Sequence, residues 1–104
     1  MKKIINGKMY NTETAEKIAT DESSCGYSDF NWYYETLHKT QKGNYFITGK
    51  GGPMSRWAQT VGQNSWSEGS GIETLSKQEA LDWLERAGET EAIEKHFSAD
   101  IEEA

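Results

Sequence analysis

One cysteine, Cys25, is all the thiol chemistry this 104-residue chain contains. That excludes an intramolecular disulfide framework and any structural zinc site built from several cysteines. Long apolar runs are missing as well. None approaches the roughly 20 residues needed to span a bilayer, and Met1-Lys2-Lys3 leads into only two isoleucines before polar sequence resumes, so neither a membrane span nor a signal peptide is expected. The expected compartment is the cytosol. Basic residues are scarce towards the C-terminus: Val61 to Ala104 holds 3 against 11 acidic ones, a balance of −8, whereas Met1 to Thr60 holds 8 basic and 6 acidic, a balance of +2. Such an acidic half repels nucleic acid and attracts basic surfaces, because summed charge sets long-range fields and association rates. The expected partner is a basic protein, and direct nucleic-acid binding is disfavoured.

What the chain does have is aromatic bulk. Twelve aromatic residues, four of them Trp, supply the core of what its length makes about one domain. We place that domain at residues 1–99, with an acidic end over 100–104 expected to fray.

Turn and cap signals divide the chain into elements. Asn6-Gly7 between Ile4-Ile5 and Lys8-Met9-Tyr10 has the form of a two-residue hairpin turn. Asn11 or Thr12 is placed to cap a helix ending near Thr20, with Ala15, Ile18 and Ala19 on one face. Residues 21–29 read as a polar loop. Phe30 to Thr40 alternates as a strand, with Tyr33, Glu35 and Leu37 on one side and Trp32, Tyr34, Thr36 and His38 on the other; Gln41 to Asn44 turns it back into Tyr45 to Thr48. After Pro53, the residues Met54, Trp57, Ala58 and Val61 have helical spacing up to a Gly62 stop. Residues 63–71 read as a Gly/Ser loop holding Trp66, and Ile72 to Leu75 as a short strand. Ser76-Lys77-Gln78-Glu79 is a capping box that opens a helix buried through Ala80, Leu81, Leu84 and Ala87 and stopped by Gly88. A last helix starts near Thr90. The expected fold is α+β, a small antiparallel sheet packed with three to four short helices.

The segments Ile5-Asn6-Gly7-Lys8-Met9-Tyr10-Asn11-Thr12-Glu13-Thr14-Ala15, Tyr45-Phe46-Ile47-Thr48-Gly49-Lys50-Gly51-Gly52 and Ile72-Glu73-Thr74-Leu75, followed by Glu79-Ala80 and Trp83, resemble those of small proteins from phages, plasmids and conjugative elements of Gram-positive bacteria. The resemblance covers most of the chain. It implies a mobile-element origin and a bacterial host cell, and some small proteins of that setting are anti-CRISPR inhibitors of type II RNA-guided nucleases. Such a nuclease holds guide and target in positively charged channels. On this reading the carboxylates Glu79, Asp82, Glu85 and Glu89, extended by Glu91 and Glu94, occupy a basic surface, and exposed aromatics among Trp32, Tyr34 and Trp66 supply affinity. The bland alternative for these carboxylates is an ordinary solvated helix face. For the aromatics it is the interior of a sheet.

Other chemistry is thinly represented. Gly49-Lys50-Gly51-Gly52 after a strand, with Arg56 following, has the layout of an anion-binding loop made by Lys50, Gly51, Gly52 and Arg56, but not the spacing of a P-loop or a dinucleotide fold. A simple tight turn is the competing reading. His38 and Cys25 form no recognisable catalytic spacing, and the acidic neighbours of Cys25 disfavour a thiolate. We therefore expect a protein that is not an enzyme and uses no cofactor or metal. The expected function is inhibition of a bacterial defence nuclease; the alternative is a regulatory or maintenance protein of a mobile element that binds another protein.

Overall fold

A computed structural model describes residues 1–23, 29–60 and 65–102. Its centre is a four-stranded antiparallel meander in the order β3 (Glu16–Glu22), β4 (Tyr33–Lys39), β5 (Tyr45–Gly51) and β8 (Gly69–Leu75). Two small antiparallel pairs flank it, β1 (Lys2–Ile5) with β2 (Lys8–Asn11) and β6 (Gln59–Thr60) with β7 (Trp66–Ser67). Helices α1 (Lys77–Ala87) and α2 (Thr90–His96) and one 3-10 turn, Ser98–Asp100, complete the chain. The architecture is α+β, as expected, with two α-helices among the described residues in place of three to four.

Local chemistry accounts for the elements that match expectation. Asn6 and Gly7 both have positive φ, 52° and 76°, the backbone a tight hairpin turn demands. The capping box is complete: Ser76 Oγ accepts from the Glu79 N–H at 3.1 Å and the Glu79 carboxylate accepts from the Ser76 N–H at 2.9 Å. Gly88 closes α1 in the left-handed region. The β4–β5 hairpin pairs Leu37 with Ile47 and Glu35 with Gly49, so Tyr33, Glu35 and Leu37 do share one face, opposite Tyr34, Thr36 and His38.

The two missing helices fail for the same reason. The helix expected to end near Thr20 stops after one turn: Asn11 does cap it, its carbonyl accepting from the Thr14 and Ala15 N–H groups and its side chain from the Glu13 N–H, but the chain then extends into β3, where Ala19 pairs opposite Leu37. Without β3 the ladder edge of β4 would be unpaired, and that demand outweighs a modest helical pattern. After Pro53 the chain makes successive turns. Met54 donates its N–H to Phe30, Ser55 to Gly52 and Ala58 to Ser55; Met54 faces solvent while Trp57 is buried, so the spacing that suggested one stripe is split. Val61 and Gly62, the expected end of that helix, lie outside the described residues, as do Cys25 and most of the loop around it. The expected 63–71 loop is shortened by β7 and by β8, which begins at Gly69.

Two layers cover the sheet. On one face Leu37, Tyr45 and Ile47 pack with Trp57, with Ala80, Leu81, Trp83 and Leu84 of α1, and with Phe97, whose ring stacks on Tyr45 at 5.5 Å between centroids. On the other, the N-terminal hairpin lays Tyr10 edge-on against Phe46 beside Ile72. The hairpin covers that face in part, leaving Lys50 and Ser70 exposed, but of its strand aromatics Phe46 is buried and Tyr34 half-buried, so it presents no row of exposed aromatics among the described residues.

Candidate functional site

The most unusual residue in the interior is an acid. Glu35 is 5% exposed, at the centre of β4 on the helix-covered face. A buried carboxylate needs donors, and two indoles provide them: Trp57 Nε1 donates to Oε2 at 2.7 Å and Trp83 Nε1 to Oε1 at 2.9 Å. One donor comes from the turn after Pro53 and the other from α1, so a single side chain of β4 ties two separate elements to the sheet. Arg56 stands 3.7 Å from Oε2 and pairs also with Glu73 of β8. Gly49 makes room for this arrangement. A Cβ there would sit 2.1 Å from Trp57 Cε2, so only glycine at this strand position lets the indole lie flat across β5.

Beside this network is a groove of about 360 Å³ whose lining includes Asp21, Asn31, Tyr33, Glu35, Arg56 and Arg86. Asp21 lies directly across the strand pair from Glu35. Like charges so placed repel unless each is separately satisfied, and Asp21 accepts from the Tyr33 hydroxyl at 3.2 Å. A second hollow that shares Arg56, Trp83 and Arg86 with it is lined also by Glu73, Glu79 and Asp82. Arg86, on its α1 wall, makes no hydrogen bond or ion pair among the described residues.

Comparison of the chain with protein-family models, curated proteins and solved structures finds no match in any of the three. The arrangement of its own residues therefore has to carry the functional reading.

The structure disperses the residues singled out in the sequence. Asp82, Glu85, Glu91 and Glu94 are exposed along α1 and α2, and none of them has an ion-pair partner among the described residues. Glu79 is exposed but committed to the capping box, and Glu89 is half-buried where α2 begins. Trp32 is a correction. It is 8% exposed because Gly52 closes over its ring, so it offers no partner surface. Tyr34 is half-buried beneath Lys50, and Trp66 alone of the three is well exposed, at 57%.

The anion-binding loop is a second correction. Lys50 and Gly51 belong to β5 and pair with β4 and β8; Gly51 and Gly52 are buried, with Ser55, Phe30 and Trp32 where Cβ atoms would stand. Gly52 gives its N–H to Trp32, no helix follows, and Arg56 turns instead to Glu35 and Glu73. Close packing, rather than anion binding, uses these glycines.

His38 is buried on the hairpin-covered face, stacked on Phe46 at 4.9 Å, with Nε2 3.1 Å from Thr48 Oγ1 and Nδ1 unpartnered. Burial, then Lys17 and the N-terminal amine, hold its pKa below the ordinary 6.5. It is a neutral interior ring. Sequence reasoning missed Glu35, Asp21, Tyr33 and Arg86 as site residues. The available signal was a charge at position 35 sharing a strand face with Tyr33 and Leu37, since an acid on a core-facing position requires dedicated partners.

Proposed function

We propose that this protein acts by binding, as a mobile-element inhibitor that docks its acidic α1–α2 face on a basic nucleic-acid-binding surface, in its most concrete form that of a type II RNA-guided nuclease. The observation that carries the reading is the set Asp82, Glu85, Glu91 and Glu94, exposed on consecutive helices and uncompensated by ion pairs among the described residues. Two of the described cations are already occupied, Arg56 by Glu35 and Glu73 and Lys77 by Asp100 at 3.0 Å, while Arg86 of α1 is unpaired among the described residues. Carboxylates without ion-pair partners among the described residues, two of them on the capped helix α1, meet Lys/Arg-lined channels without first breaking internal ion pairs, which favours fast, steered association. Trp66, exposed on β7, is one aromatic available to anchor such a contact.

The test is cleavage of a target DNA by purified type II nucleases, with the protein added before guide loading, after guide loading, or after target binding. Protection in one arm supports the reading and locates the blocked step. Cleavage unaffected at large excess across several nucleases removes the nuclease from the proposal and leaves pull-down to find a different basic partner.

A further inference from the structure

The groove between β3, β4, the turn after Pro53 and α1 holds charges that the fold does not use. Glu35 has its oxygens on two indoles with Arg56 alongside, and Arg56 is further compensated by Glu73. Two groups on the same walls are left over. Asp21 has the Tyr33 hydroxyl and no cation, and Arg86 has no partner at all among the described residues; although both line one groove of about 360 Å³, they do not pair with each other. A volume of this size lies in the range of small-ligand sites.

Charge decides which ligand fits. A simple anion drawn to Arg86 would face Asp21 and Glu35, and a simple cation drawn to Asp21 would face Arg56 and Arg86, so either meets repulsion from one wall. A molecule carrying both charges on a spacer meets neither. Guanidinium recognises a carboxylate bidentately, and a carboxylate takes an ammonium through charge-assisted hydrogen bonds. We infer that this groove is a binding site for a small zwitterion of the ω-amino-acid or basic amino-acid class, its carboxylate on Arg86 and its distal ammonium on Asp21, with Tyr33 fixing the Asp21 carboxylate. The inference is independent of the docking face proposed above.

The probe is 6-aminohexanoate, with L-lysine alongside, titrated into the isotope-labelled protein while the indole N–H resonance of Trp83, assigned through Trp83→Phe, is followed. Trp83 lines the groove, so an occupied site shifts that signal. We expect saturable shifts with a Kd on the order of 1 mM or tighter, at least about tenfold weaker binding of hexanoate and of hexylamine, and a comparable loss in Arg86→Gln and in Asp21→Asn. Arg86 is an exposed residue without partners among the described residues, so its replacement tests the site without unfolding the protein. No saturable shift from either zwitterion, equal binding of hexanoate, or unchanged affinity in Arg86→Gln overturns the inference.

Discussion

At the scale of single residues, Glu35 and His38 show how one strand buries two titratable side chains on opposite faces with opposite solutions. Glu35 keeps two indole donors; replacing it by glutamine preserves shape but turns an amide N–H₂ towards one indole N–H. We expect Glu35→Gln to lose about 1–3 kcal/mol of stability, the range for leaving a buried donor unsatisfied, read as a lower urea midpoint. His38 behaves in the reverse sense. Because its folded pKa lies below 6.5, the unfolded chain binds more protons between that lowered value and 6.5, so stability is complete above this window and declines as pH falls through it. Urea midpoints should drop from about pH 7.5 to about pH 5 in the natural protein and change less in His38→Gln; equal slopes would show that other groups set the pH dependence. Gly49→Ala is a third case, since its Cβ would land on the Trp57 ring. Overpacking of this kind costs about 1–3 kcal/mol, and a displaced indole resonance should accompany the lower melting temperature.

Among the elements, α1 combines the strongest local signals with the largest share of the packing. Its cap is self-contained, so Ser76→Ala should cost about 1 kcal/mol and leave the sheet intact, visible as lost amide protection confined to the first turn. The cap also shapes any test of the acidic face. Glu79 belongs to it, so charge reversal there weakens the helix as well as the field; Asp82, Glu85 and Glu94 carry charge without that structural duty. The β3 edge and the turns after Pro53 behave differently, because their conformation depends on partners far along the chain: Ala19 on Leu37, Met54 on the Phe30 carbonyl. Helix-like spacing in both segments was a true property of the sequence that long-range pairing outweighed.

For the whole molecule, the net charge of −6 and its concentration in the C-terminal half set the long-range field around it. If the acidic face steers docking, raising salt until the Debye length falls below about 8 Å should slow association markedly with little change in dissociation. The triple variant Asp82→Lys, Glu85→Lys, Glu94→Lys should lose inhibition while its thermal transition stays near that of the natural protein. Stopped-flow association against ionic strength separates the two quantities, and a rate indifferent to salt would falsify steering by this face.

By itself the sequence determined the features that need only neighbouring residues: the Asn6-Gly7 turn, the β4–β5 hairpin with its two faces, the Ser76–Glu79 box, the Gly88 stop, the start of α2 and the acidic C-terminal half. Each rests on a local backbone preference, a short hydrogen-bonded ring or a simple sum of charges. Only the tertiary structure decided that residues 16–22 pair as a strand, that Trp32 is enclosed, and that the glycines after Thr48 serve close packing. It alone brought Glu35, Trp57 and Trp83 together and set Asp21 and Arg86 on the walls of one groove. Those outcomes depend on which donors and apolar surfaces remain unsatisfied once the sheet has formed, a quantity that belongs to the folded chain and to no segment of it.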